Sequence, residues 1–300
     1  MPTEGLCRKA GRTSTWRSAG VAAEVSLLRG RGFRTMPGML RHLRLIPIFV
    51  RVSFQNDAAY RADFILHSIL ALLQLAAELI GVWIIFSNTT SIAGWTAWQV
   101  LTLMGVFRMM SGIIGLVIAP NMRLIMEDIR SGSLDFVLLK PVNAQFYASI
   151  RQVILWRGAD IVAGLILIGV AGFKLGTGVE AIAAAGFALM LAAGATIIYS
   201  IWLILATLAF WLTRIANIEM VFWNVFEAGR YPVDIYQPRL RWTLTYIIPL
   251  AFLTTYPAAT LLGKSAPSVL LVAWGAATAA LVAATWFFRF GLRRYSGASA

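Results

Sequence analysis

The sequence predicts an all-α polytopic membrane protein, and three observations carry that reading: an apolar composition, a series of uncharged runs about 20 residues long, and basic residues at the ends of those runs. Of the 300 residues, 59% are apolar with Tyr counted and Gly left out. Counting Gly in place of Tyr raises the share to about 65%, against roughly 45–50% in soluble domains. Charged residues are 13%, about half the usual share, and the mean hydropathy is +0.75.

The same composition excludes several functions. The single cysteine, Cys7, cannot close an internal disulfide, and two histidines, His42 and His67, are too few for a His-rich zinc site. A net charge of +13 would suit nucleic acid if it were gathered in a soluble basic domain. It is instead distributed along the edges of apolar runs, so membrane lipid is the expected partner and nucleic acid is not.

Residues 1–35 carry Arg8, Lys9, Arg12, Arg17, Arg29, Arg31 and Arg34 among small and polar residues without periodicity. No apolar h-region with a small-residue cleavage site follows them. Three readings stand: a disordered basic extension, an over-called start with translation beginning at Met36 or Met39, or an Arg-rich, acid-poor transit peptide of little amphipathic order. Residues 36–63 mix Leu43, Ile46, Phe49 and Val52 with Arg41, Arg44, Arg51 and Arg61, too charged to span. They predict an amphipathic helix in the inner interface, broken or kinked at Pro47.

Residues 64–295 form the spanning domain, and 296–300 are a tail. Applying a window of about 20 residues gives spans at Phe64–Phe86, Trp98–Ala119, Arg157–Phe173, Ala181–Leu212 and Val269–Phe288. The fourth run is too long for a core of about 30 Å and must tilt, overshoot or turn. Ser87–Ala97, with no charge, is expected outside; residues 120–144, with charges of both signs, are expected in the cytoplasm. Arg289, Arg293 and Arg294 place the C-terminus inside, so the number of spans is even, and six is the count.

Two topologies fit residues 214–264. In the first, Arg214, Arg230, Arg239 and Arg241 are all cytoplasmic and Trp242–Leu262 spans. In the second, Ile215–Gly229 is a short fifth span, and the following segment, broken by Pro232, Pro238, Pro249 and Pro257, dips into the outer leaflet and returns. Such a dip must be buried between helices to satisfy its backbone.

Few residues invite chemistry. Leu262-Gly263-Lys264-Ser265 imitates the end of a phosphate-binding loop, but Ala258 stands where glycine is needed and Pro267 where a helix should run, so Lys264 reads as a loop or interface residue. No catalytic, metal or cofactor site is expected. Inside the first span His67, Gln74 and Glu78 share one face. Glu78 lies about 12 Å from the outer end of its helix and Arg108 about 15 Å from the outer end of the next, so the two can pair across it. Gln74, Glu78 and Arg108 are therefore the intramembrane polar candidates, either as a wall of a path or as a structural pair between neighbouring helices. Arg157 with Asp160 reads as an i, i+3 ion pair.

The most informative cytoplasmic run is Met126-Glu127-Asp128-Ile129-Arg130-Ser131-Gly132-Ser133-Leu134-Asp135-Phe136-Val137-Leu138-Leu139-Lys140-Pro141-Val142. Ile129, Leu134, Val137 and Leu138 give a short helix an apolar side, Gly132 permits a sharp turn and Pro141 ends it. Such a helix fits a groove on a cytoplasmic partner, or lies as a solvated loop helix.

At this run the sequence resembles the permease subunits of type 2 ABC exporters, in the branch with an I-x-S-G-S-L-D-x-x-L-L-K-P-V signature, here Ile129 to Val142. Gln145, Phe146 and Tyr147 follow it. A second block is Arg230-Tyr231-Pro232-Val233 with Ile235 and Tyr236, then Ile248-Pro249-Leu250-Ala251-Phe252 and Tyr256-Pro257-Ala258. The resemblance covers about Leu40 to Tyr295. It implies a six-helix half-transporter with an interfacial N-terminal helix, a cytoplasmic coupling helix between the second and third spans, and an outer re-entrant segment around Pro249 and Pro257, hence the second topology. By the same resemblance Glu127, Asp128, Arg130, Gly132, Leu134, Asp135, Leu138, Lys140 and Pro141 would couple to a separate ATP-binding cassette ATPase. ATP and Mg would be bound there and none in this chain. A second permease chain, identical or distinct, would complete the path in the bacterial cytoplasmic membrane, with both termini cytoplasmic. An ion-coupled secondary transporter is the alternative; it would usually show an internal repeat and several midplane acids, and neither is seen. A lipid-acting membrane enzyme would need a nucleophile and base or paired carboxylates near the interface, which the sequence does not offer.

Overall fold

The computed structural model describes residues 47, 49–50, 61–140, 142–176, 180–212 and 218–295. The readings for residues 1–35 and most of 36–63, and those for Pro141 and Arg214, fall outside them. The described residues are helical apart from short connections, with no β-structure beyond an isolated bridge between Ile92 and Trp95.

Five helices are long and apolar enough to cross a membrane. They are α1 (Arg61–Asn88), α2 (Ala97–Ser131, with a π-turn at Ile114–Ile118), α5 (Gly158–Leu175), α6 (Ala181–Thr207) and α11 (Ser268–Arg294). Between α2 and α5 lie the short helices α3 (Leu134–Leu138) and α4 (Ala144–Ile150). Between α6 and α11 lie α7 (Ile218–Phe226), α8 (Pro238–Trp242), α9 (Leu250–Leu253) and α10 (Thr255–Leu261).

Helix α2 is the central element. Its apolar part is mostly buried within the chain, whereas the other four present most of their surface outward, as helices in lipid do. It packs most extensively on α5, and α6 packs most extensively on α11. The α2–α5 contact rests on glycine. A Cβ on Gly105 would stand 2.7 Å from the Gly164 carbonyl oxygen, and one on Gly164 would meet the Gly105 carbonyl in turn. Gly112 repeats the approach one heptad on, facing Arg157 and Ile161. Small residues at such a seam let the backbones come close, which is how helices associate where lipid offers no hydrophobic drive.

Sequence reading ended the second span at Ala119, whereas the helix runs twelve residues further. Pro120 cannot donate to the Leu116 carbonyl four residues back. That carbonyl instead accepts the Ile154 N–H at 2.9 Å, while the Asn121 amide donates to Gln152 O at 2.7 Å and accepts from Gln152 N at 2.9 Å. The defect in α2 thus becomes the dock for the chain leading into α5.

The two ends of the bundle differ. At one end Gly132, with φ of 74°, terminates α2 and turns the chain into α3. Arg123, Arg130, Arg151, Arg293 and Arg294 gather here, and Phe49 meets Tyr147 of α4 edge-on at 5.6 Å. We call this the basic end. At the opposite end the turn Asn88–Thr96 leads into α2, with the Lys264 ammonium holding the Gly94 carbonyl at 3.0 Å and Gln99 Oε1 at 2.6 Å. The expectation of Lys264 as a loop residue holds.

The segment between α7 and α11 bears on both topologies. Trp242–Leu262 is not a continuous helix: it passes from α8 through a π-turn at Thr243–Ile247, breaks at Pro249, and re-forms as α9 and α10. Prolines thus interrupt the span that the first topology needs, while the second topology's Ile215–Gly229 holds, among the described residues, only the nine-residue helix α7, so five long helices stand where six spans were expected. The segment lies against the end opposite the basic one, since Trp95 Nε1 donates to Asp234 Oδ2 at 3.2 Å. Leu250, Ala251, Phe252, Leu253, Pro257 and Ala258 are buried, which meets the condition for irregular backbone at membrane depth. Gly194 of α6 admits it, because a Cβ there would stand 2.7 Å from Phe252 O. Two of the four charges that favoured the first topology are neutralised locally: Arg241 pairs with Asp234 at 2.8 Å, and Arg230 with Glu227 and Glu78.

Gly164→Leu is expected to separate α2 from α5 and lower stability by roughly 1–3 kcal/mol. Thermal unfolding of the detergent-solubilised chain checks this, with Gly172→Leu, a position facing open space, expected to unfold like the parent.

Candidate functional site

Two places gather the polar residues singled out in the sequence. The first is an ion network in the bundle. Arg108, in the middle of α2, donates from Nε to Glu78 Oε2 at 3.0 Å, sets Nη2 2.9 Å from Glu78 Oε1, and donates from Nη1 to Asp160 Oδ1 at 3.1 Å. The three side chains are almost fully buried. The expected Glu78–Arg108 pair is present, but it is one side of a larger array. Arg157 reaches Asp160 Oδ2 at 3.5 Å, and Arg230, which also pairs with Glu227, lies 3.4 Å from Glu78 Oε1. Three arginines and three carboxylates balance to zero across α1, α2, the start of α5 and the turn after α7. At this depth a single uncompensated charge costs several kcal/mol, so neutrality is what allows the cluster to exist.

Beside the network is a partly open cavity of about 330 Å³. Arg108, Arg157, Asp160 and Glu227 contribute its charges; Gln74, Ser111, Trp156 and Trp223 its other polar and aromatic lining. Gln74, expected beside Glu78, faces this space and is not part of the ion array. The sequence reading pairs Asp160 with Arg157 alone. It missed that Asp160, in the first turn of α5, turns inward to Arg108.

The second place is the basic end. Asp128 pairs with Arg151 at 2.5 Å and accepts from Ser133 Oγ at 2.9 Å, and Ser131 and Ser133 share a hydrogen bond of 2.8 Å. Ile129, Leu134 and Val137 point into the protein and are buried. Leu138, expected on the same apolar side, is instead 41% exposed, alongside Phe136 at 72% and Leu139 at 81%. Glu127 and Arg130 are exposed, Asp135 and Lys140 intermediate, and Pro141 lies outside the described residues. The expected apolar face is therefore an anchor, and the outward face is a different one. Phe136 and Leu139, which sequence reading did not select, complete it.

Behind this segment α4 is tied to the long helices. Gln145 Nε2 donates to Thr285 Oγ1 of α11 at 3.1 Å and to Tyr199 OH of α6 at 3.3 Å, and Ser149 shares a 2.8 Å hydrogen bond with the same tyrosine. Arg151 joins α4 back to α2 through Asp128. Among the described residues no group of His, Cys, Asp and Glu is arranged to hold a metal ion.

Removing Arg108 alone leaves Glu78 and Asp160 buried without their shared cation. Arg108→Gln is expected to cost roughly 3–5 kcal/mol, and adding Glu78→Gln to it is expected to recover part of that loss. Equal melting temperatures for the single and double variants would dismiss the coupling.

Pro249 and Pro257, singled out for a re-entrant element, both lie in the broken segment, the first at its sharpest break and the second buried in the first turn of α10. A comparison with curated proteins gives no match. The sequence profile described as ABC-2 family transporter protein matches residues 72–299, three-quarters of the chain. The chain belongs to the ABC-2 transporter family and is a multi-pass transmembrane permease of an ABC transporter.

Proposed function

We propose that this permease is the membrane subunit of an exporter whose separate ATPase subunits seat on residues 127–140, and that a second permease chain completes the path. The family implies an ABC ATPase partner in general; the particular docking surface is our assignment. The observation that carries it is the outward face of Phe136, Leu138 and Leu139, three large apolar side chains exposed outside the spanning helices. Apolar side chains in water beyond the membrane mark a protein contact when they cluster. Glu127 and Arg130 border them and supply a charged rim. The run Ile129 to Val142 supports placement in the branch with the I-x-S-G-S-L-D-x-x-L-L-K-P-V pattern.

ATP and Mg belong, in this reading, to the ATPase. When two such subunits close on ATP they displace the seated segment. That displacement passes into the spans through α4, whose Gln145 and Ser149 hold α6 and α11 and whose neighbour Arg151 holds α2. The basic end faces the cytoplasm of a bacterium, both termini lie there, and the broken segment around Pro249 and Pro257 sits toward the outside. This orientation follows the excess of arginine.

Co-purification of the tagged chain from its native membrane, with ATPase activity assayed on the eluate, tests the assignment. Recovery of an ATP-hydrolysing subunit is expected, with Phe136→Glu plus Leu139→Glu reducing it by about tenfold or more. Glu127→Lys is expected to weaken recovery less and in a salt-dependent way. Undiminished recovery in the apolar pair variant would place the ATPase elsewhere, and transport driven in vesicles by an ion gradient without ATP would remove the exporter reading.

A further inference from the structure

The cavity beside the ion network has no part in the coupling surface, and its chemistry is more specific than its size. Its charged members are not equally satisfied. Arg108 makes close contacts to two carboxylates. Arg157, a third exposed, has among the described residues a single carboxylate contact at 3.5 Å, at the long limit for a hydrogen bond. Its guanidinium lies over the Trp156 ring, 4.4 Å from the centroid, and 5.9 Å from that of Trp223. Glu227 also lines the cavity; one of its oxygens is held by Arg230, and its side chain is half exposed. A cation with acceptors to spare room for, an anion, and two indole faces thus border one space whose surrounding charges already sum to zero.

The depth of this space is set by α2. The Arg157 backbone faces Gly112, fifteen residues from the start of α2, or about 23 Å along the helix axis. With Ala97 at the far boundary of a hydrocarbon core of about 30 Å, the Arg157 backbone lies about 7 Å inside the boundary on the basic side, a depth from which a long side chain snorkels to lipid phosphates. Trp156 and Trp223 suit the same level, because indoles collect at the headgroup boundary. Leu70 and Ala71 of α1 line the cavity as well, and from there α1 continues toward its far end with exposed Leu73, Ile80 and Ile84, an apolar track leading away from the polar space.

The geometry points to a binding site for a zwitterionic lipid headgroup. Its phosphate would sit at Arg157, its ammonium at Glu227 and the indole faces, and its acyl chains along α1. A ligand of zero net charge leaves the balanced network balanced, whereas an anionic headgroup adds an uncompensated charge beside Asp160 and Glu227. The volume, at the low end for small-molecule pockets, holds a headgroup and leaves the tails outside. The ammonium gains from both the carboxylate and the aromatic faces. This site does not depend on where the ATPase docks.

Native mass spectrometry of the full-length chain in mixed micelles reads the binding directly. The probes are phosphatidylethanolamine, phosphatidylglycerol and diacylglycerol with matched acyl chains. Phosphatidylethanolamine is expected to bind most tightly and diacylglycerol not to be retained. Arg157→Gln is expected to weaken both phospholipids about tenfold, and Glu227→Gln to weaken phosphatidylethanolamine by a similar factor while leaving phosphatidylglycerol unchanged. Arg289→Gln, an exposed arginine of α11 away from the cavity, is expected to change neither. Ala71→Trp fills the space without altering any charge and is expected to abolish retention in a chain that still elutes as a single species. Equal retention of all three lipids, or phosphatidylethanolamine binding indifferent to Arg157→Gln and Ala71→Trp, would overturn the site. Displacement of the lipid by an equal concentration of free phosphoethanolamine would reassign it to a soluble ligand.

Discussion

A guanidinium in the middle of a buried helix sets the terms for its surroundings. Arg108 cannot stay charged at that depth without carboxylates, and it draws one from α1 and one from α5. Those carboxylates in turn accept Arg157 and Arg230, so that four separate parts of the chain are held by one requirement of neutrality. The requirement matters most for α1, which is otherwise little buried and is oriented on the bundle chiefly through Glu78 and Val82.

Around this polar centre the fold uses contacts of a different kind. The α2–α5 seam is steric, with glycine against glycine and backbone near backbone. The join at Pro120 is a hydrogen-bond exchange, in which a carbonyl freed by proline is taken by the chain entering α5. The broken segment relies on burial and on Gly194 for room. Each solves the same problem, the cost of an unpaired backbone or side-chain group in lipid, by a means suited to the residues present.

Much of this was legible in the sequence. Five apolar runs became five long helices, because a run of about 20 uncharged residues has few alternatives in a membrane. The pairing of Glu78 with Arg108 followed from their matching depths. What was not legible had physical causes as well. Arginines near Pro232 and Pro238 looked like cytoplasmic markers because composition counts charge and not partners; Asp234 and Glu227 cancel two of them. The outward face of α3 was misjudged because Leu138 and Leu134 lie on one apolar stripe in projection, and only the direction in which the chain leaves Gly132 decides which part turns inward. The reach of Asp160 to Arg108 is a tertiary contact that no local spacing encodes.

The seam and the ion array also constrain how the molecule can move. Glycines in mutual contact leave no side chain to yield, so α2 and α5 travel as one body. Helix α1 is free of that lock but cannot leave with a bare carboxylate. Glu78 lies 2.9 Å from Arg108 and 3.4 Å from Arg230, so a position of α1 that keeps this carboxylate paired keeps it beside one of these two arginines. The first helix is in this way tethered to two cations, whereas the seam joins α2 and α5 through their backbones.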